Sequence, residues 1–258
     1  MSFHPPKKTA QLARDHGEKK AHLPLSTMLA LGFLAGAFIA FGFLLDIRIT
    51  GNLPEEIWGS MAAFIGGAVF PVGLVFVLIA GGELLTGNMM AVATARFSGK
   101  IKTSHVLNNW LIITISNFIG SIFVAYFFGH ILGLTETGPF LDKTVDIAGA
   151  KIEDNFFEAF VSGVGANWLV CLAVWLNYAA EDVAGKILGI WFPIMAFVAI
   201  GFQHVVANMF VIPAAIFAGY YTWFDYLMNF LAVFLGNAVG GAIFVGAFYW
   251  FAYLRNDV

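Results

Sequence analysis

The sequence predicts an all-α integral membrane protein of six transmembrane helices in an inverted 3+3 repeat, with helices 2 and 5 broken. Three observations predict it. Apolar residues make up 60% of the 258-residue chain and charged residues 11%, against about 45–50% and 25% in soluble domains. So few charges cannot cover a soluble fold of this size. Six apolar runs are long enough for a bilayer crossing, which takes about 20 residues. Two polar interruptions within those runs align at an offset of 120, Gly81 over Gly201.

In chain order, residues 1–24 are polar and basic, and the apolar run after them is too long for a cleaved signal; a soluble cytoplasmic stub is expected. A single transmembrane domain follows over 25–253. Its first crossing, 25–45, is uncharged. The second, 58–97, is too long for one straight helix and is interrupted near 81–87. The third is 107–134. Residues 135–155 carry Glu136, Asp142, Asp146, Glu153 and Asp154 with Lys143 and Lys151, and read as a solvated outer loop joining the halves 25–134 and 156–253. The fourth crossing is 156–176, the fifth 187–220 with its interruption near 201–208, and the sixth 223–253; residues 254–258 form a tail. Lys7, Lys8, Arg14, Lys19, Lys20, Arg96, Lys100, Lys102, Lys186 and Arg255 fall on one side, and only Arg48, Lys143 and Lys151 on the other. The positive-inside rule then puts both termini in the cytoplasm of a plasma (inner) membrane protein.

The repeat has a physical consequence. Gly81-Gly82-Glu83-Leu84-Leu85-Thr86-Gly87-Asn88 lies over Gly201-Phe202-Gln203-His204-Val205-Val206-Ala207-Asn208, and Asn117 over Asn237. Each half holds an odd number of crossings, so the second half enters the membrane from the opposite face. Broken backbone at membrane depth is tolerated only when buried in protein or lining a polar cavity, so two facing breaks predict a permeation path between them.

Few polar groups lie at that depth. Asn88 and Asn208 read as staples for freed backbone groups, and Asn117 and Asn237 as helix–helix contacts. His130, Glu158 and Asp225 sit near span ends and read as structural. Glu83 either caps a half-helix or faces a vestibule. His204 lies at the centre of the second break, where an ionisable side chain is a functional candidate by default. Thr86, on the opposite break, offers a hydroxyl that donates and accepts. A small anion between the two can be hydrogen-bonded and protonated. Phe70, Leu74, Leu84 and Phe197 flank the breaks as core or gate.

The segment 201–210, Gly-Phe-Gln-His-Val-Val-Ala-Asn-Met-Phe, and the segment 166–175, Ala-Asn-Trp-Leu-Val-Cys-Leu-Ala-Val-Trp, resemble the formate/nitrite transporter family, and the likeness extends over 25–253. The resemblance implies a homopentamer of aquaporin-like protomers, each with its own pore for formate, nitrite or hydrosulfide. It implies that His204 is the central histidine and Thr86 the loop threonine. Lys151 and Asn167 are the implied outer pair, and Phe70, Leu74, Leu84 and Phe197 the constrictions. Gly87-Asn88 departs from the small hydroxylated residues that formate channels carry after the threonine.

Other classes fit less well. A net charge of −3 argues against nucleic acid, and one cysteine, Cys171, excludes an intramolecular disulfide and a cysteine-built metal site. No metal or other cofactor is expected. A haem subunit needs two facing histidines, and only His130 and His204 lie in apolar runs. No nucleophile-elbow or zinc-protease motif suggests an enzyme. An aquaporin-like neutral-solute channel explains the repeat but gives His204 and Lys151 no task. The expected partners are a small anion, protons, the lipid bilayer and copies of the chain.

Overall fold

The computed structural model describes residues 2–256. Residue 1 of the expected stub and residues 257 and 258 of the expected tail lie outside that range. Among the described residues the chain is helical, apart from an isolated bridge between Phe3 and Ala180. Besides a single helical turn at Glu55–Trp58, the helices are α1 Pro6–Ala21, α2 Leu25–Thr50, α3 Ser60–Gly81, α4 Leu85–Phe97 and α5 Thr103–Ile131, then α6 Pro139–Glu153, α7 Phe156–Ala179, α8 Val183–Ile200, α9 Val205–Phe217 and α10 Trp223–Tyr253. Six of them, α2, α3, α5, α7, α8 and α10, are long and apolar enough to cross a membrane.

Local chemistry sets the helix starts. Pro6 and Pro139 occupy first-turn positions, where the missing N–H has no partner to lose. Asn155 with Glu158, and Thr222 with Asp225, form capping boxes. Glu158 and Asp225 are thereby accounted for as caps. His130 likewise pairs with Glu136 at 2.6 Å.

The half-helices α4 and α9 sit at the centre, with Leu85 to Ala95 and Val205 to Ala215 buried throughout. At 13 residues each they run about 20 Å, too short to cross alone. Gly81 and Gly201, at φ 108° and 88°, turn the chain out of the preceding helix, and Leu84 and His204 re-enter helix from extended backbone.

The other spans are held around them by small-residue contacts. Gly36 and Gly120 bring α2 and α5 into backbone contact, and Gly236 and Gly240 do the same for α10 and α7. Gly32 and Gly36 on α2, and Gly236 and Gly240 on α10, each spaced by four residues, therefore serve packing inside the protomer.

Three segments differ from the sequence expectation. The first crossing continues past residue 45 to Thr50, which carries Asp46 into a buried position. The expected stub is α1, packed on α4 through Thr9, Ala10, Ala13 and Gly17. Their small size along one helical face lets the backbones approach. The expected solvated loop 135–155 contains α6, whose buried Thr144, Ala148 and Gly149 mark its packed face. Charge counting conceals both helices, because a surface helix packs on one stripe and solvates the rest.

Candidate functional site

The two breaks meet at Thr86 and His204. The first N–H of each half-helix is taken by an asparagine from a neighbouring span: Leu85 N–H donates to Asn117 Oδ1 and Val205 N–H to Asn237 Oδ1, both at 2.9 Å. The Nδ2 atoms of the same asparagines donate to Gly32 and Glu83 carbonyls in one half, and to Gly163 and Gln203 carbonyls in the other. Each asparagine thus satisfies the broken backbone and ties it to a flanking helix. Asn167 Nδ2 adds a contact across the halves, donating to the Asn237 carbonyl at 2.7 Å and the Thr86 carbonyl at 3.3 Å.

Thr86 Oγ1 and His204 Nε2 are 2.9 Å apart, and both residues are buried. The tautomer follows from the hydrogen-bond network. His204 is the N-cap of α9, and its Nδ1 accepts from the Ala207 N–H at 3.1 Å. A backbone N–H only donates, so the neutral ring carries its proton on Nε2 and gives it to Thr86 Oγ1. The threonine hydroxyl is left with its own hydrogen to donate.

Apolar side chains close the space around this pair. Phe70 and Phe197 meet edge-on at 5.7 Å between centroids, and Phe197 lies 5.7 Å from the His204 ring. A cavity of only about 10 Å³ is bounded by Phe70, Leu74, Leu84, Phe197 and His204, with Val170 among its other walls. A vestibule lies on each side. One, of about 340 Å³, is walled by Asp46, Lys151, Asp154, Phe70, Phe197 and His204. The other, of about 550 Å³, is walled by His16, Lys20, Glu83, Tyr178 and Lys186.

Matching polar clusters flank the breaks. Asn88 Nδ2 donates to Glu83 Oε2 at 2.8 Å and Asn109 Oδ1 at 3.0 Å; Asn208 Nδ2 donates to Gln203 Oε1 at 2.6 Å and Asn229 Oδ1 at 2.9 Å. Asn109 then donates to the Lys20 carbonyl and Asn229 to the Lys151 carbonyl. Lys20 of α1 and Lys151 of α6 therefore occupy corresponding places, one at the mouth of each vestibule. Their ammonium groups differ in partner. Lys20 Nζ contacts Glu83 Oε1 at 2.7 Å, so Glu83 joins α1 to the first break. Lys151 Nζ donates to the Gly201 and Phe202 carbonyls at 2.8 and 3.3 Å. Burial pushes the Lys151 ammonium down to about 8, with Asp154 and Asp46 acting in the opposite direction.

Sequence reasoning missed several members. Gln203, Asn109 and Asn229 lie in the repeat, Asn109 over Asn229 at the offset of 120, and that alignment was the available signal. Lys20, Asp46 and Asp154 carry no sequence signal, because their positions depend on helices read as stub, span end and loop. The resemblance paired Lys151 with Asn167, whereas in the structure they hold different partners. Lys151 grips the second break, and Asn167 steadies the Thr86 backbone. Asn88, the departure from formate channels, points into its own cluster with Glu83 and Asn109.

The family model described as "Formate/nitrite transporter" matches residues 7–251. The chain belongs to the formate/nitrite transporter family. It is thus a multi-pass membrane transport protein rather than an enzyme. It is 61% identical over 241 residues to "Uncharacterized transporter YrhG" of Bacillus subtilis (strain 168), covering 93% of this chain and 90% of that one. It is 58% identical over 241 residues to "Formate channel BtFdhC" of Bacillus thuringiensis, with 93% and 92% covered. The solved structure "Pentameric formate channel with formate bound" superimposes with a TM-score of 0.78 at 30% identity, over 90% of this chain and 98% of that one.

Proposed function

We propose that the chain forms a homopentameric formate channel, one pore to each protomer, in which the anion is protonated at the Thr86–His204 pair while it crosses the apolar throat. The observation that carries this reading is the 2.9 Å Thr86–His204 hydrogen bond set where the two breaks meet. The 58% identity to a protein named a formate channel supports the substrate, and the likeness to a pentameric channel supports the assembly.

The chemistry follows from the geometry. A bare anion entering a space walled by Phe70, Leu74, Leu84 and Phe197 loses its water, at a cost of about several kcal/mol or more. A neutral acid loses far less. Lys151 concentrates anions at its vestibule. At the throat the Thr86 hydroxyl donates to a carboxylate oxygen. Its own oxygen accepts from His204 Nε2–H. Once the ring has taken up a proton from the vestibule at Nδ1, in place of its bond from the Ala207 N–H, the imidazolium passes its Nε2 proton to the threonine oxygen as the hydroxyl hydrogen passes to formate. That leaves formic acid and a neutral ring. The positive ends of α4 and α9 hold the charge before transfer. Asn167 keeps Thr86 in place, and Phe70 and Phe197 keep water out. In this reading α1 faces the cytoplasm of the plasma membrane, in accord with the basic residues on its side.

The test is uptake of labelled formate, nitrite and hydrosulfide side by side into proteoliposomes, with and without an inward proton gradient. Formate uptake that accumulates with the gradient in the wild type, and only equilibrates in His204→Ala, is the expected result. A variant that accumulates formate like the wild type removes the histidine from the mechanism. Preference for nitrite or hydrosulfide reassigns the substrate.

A further inference from the structure

Asp46 has no part in the mechanism above. It lies in the last turns of α2, is only 6% exposed, and faces the vestibule of about 340 Å³ that also holds Lys151 and His204. Its seat is shaped for it. The Thr50 hydroxyl one turn on donates to the Asp46 backbone carbonyl at 2.8 Å, with Oδ1 at 3.1 Å sharing the same hydrogen. Across from it stands Gly66 of α3, where a Cβ would collide with the Asp46 carboxyl. A buried carboxylate in the access chamber of an anion pathway opposes the traffic unless something controls its charge.

The groups that can do so come from few elements. Ser60–Gly81 and Val205–Phe217, both against α2, contain no Asp, Glu, Lys, Arg or His. Lys143 and Lys151 of α6 act on Asp46 through space, and Asp154, at the end of α6, lines the same chamber. His204 lies at its floor. On α2 itself, Arg48 is drawn aside to the Phe140 ring and the Leu134 carbonyl. On α5, His130 is paired with Glu136. Asp46 and Lys151 are thus opposite charges sharing one small chamber.

We propose that Asp46 sets the charge of this vestibule and thereby its anion access. The ionised carboxylate offsets the Lys151 ammonium and holds formate out. Its protonation leaves the ammonium uncompensated and admits the anion, so acid on this side opens the vestibule electrostatically, before any step at His204. The proposal rests on the reading of the pore as an anion pathway.

The experiment compares formate uptake by full-length wild type and Asp46→Asn in liposomes from pH 4.5 to 8, after subtraction of protein-free vesicles. Asparagine keeps the size of the side chain and the acceptor for Thr50. The expected result is uptake at pH 7.5 raised about threefold to tenfold, with a flatter rise toward acid. In a Lys151→Gln background the same substitution gives little gain. Asp46→Ser, smaller and neutral, repeats the measurement should asparagine impair folding, judged by elution from a sizing column. Uptake by both variants with pH profiles superimposed on the wild type overturns this proposal and leaves the anion pathway standing. No formate uptake by the wild type overturns both.

Discussion

At the scale of single residues, Thr86 and Lys151 offer separable tests of the pore. Thr86→Val keeps the shape of the side chain but removes the group that accepts from His204 Nε2–H and donates onward. A buried donor left without a partner costs about 1–3 kcal/mol. With the onward donor gone as well, the initial rate of formate uptake is expected to fall about tenfold to hundredfold, with the protein still folded. A rate within twofold of wild type would show that the hydroxyl carries no proton. Lys151 makes a prediction in pH. Its ammonium is pushed down to about 8, so it is charged below that value and neutral above it. Uptake from the Lys151 side should therefore drop as the pH there rises through about 8. Lys151→Gln should be slow already at pH 7 and show no further step. A step that persists in the variant belongs to another group.

The elements that matter most are the two breaks and the helix that braces each. Asn117 and Asn237 each hold one half-helix N–H and two carbonyls, so Asn237→Ala orphans the Val205 N–H and the Gln203 carbonyl and strips a second bond from the helical Gly163 carbonyl. At about 1–3 kcal/mol per orphaned group the variant should melt well below the wild type in detergent, and Asn117→Ala should lose a similar amount. Two unequal losses would mean that the halves are not energetically alike. The brace at the α1 end is ionic. Lys20→Met leaves the buried Glu83 without its ammonium partner, and Lys20→Met with Glu83→Gln reproduces the neutral chemistry that Gln203 already supplies in the other half. Removing one member of a buried pair costs about 3–5 kcal/mol, whereas replacing both is far milder. The double variant should therefore recover thermal stability that the single variant loses. A double variant as unstable as the single one would show that the ion pair itself, and not merely the relief of an unpaired carboxylate, stabilises that end.

For the whole molecule, the apolar surface outside the pore decides assembly and setting. Leu107, Leu111 and Ile115 form an exposed stripe on α5, and Leu227, Leu231 and Leu235 form its counterpart on α10, one repeat offset away. A helix face this apolar meets lipid or another subunit. In mild detergent, light scattering should report a particle of five 28.0 kDa protomers once bound detergent is subtracted. A monomer that still conducts would separate the pore from the pentamer.

Composition and hydropathy determined the membrane setting, the six crossings and the place of both breaks, because a bilayer demands long apolar runs and shows every departure from them. The offset of 120 determined that Glu83 to Asn88 and Gln203 to Asn208 play matching parts, since one backbone solution was used twice. Only the tertiary structure decided what those parts touch. That α1 docks and delivers Lys20 to Glu83, that α6 delivers Lys151 to the Gly201 carbonyl, and that Asp46 is enclosed rather than solvated all depend on contacts between residues distant in sequence. A polar segment on a membrane surface has the same composition whether it floats or packs, and only the small residues along its hidden face, such as Ala10, Ala13 and Gly17 of α1, record the difference.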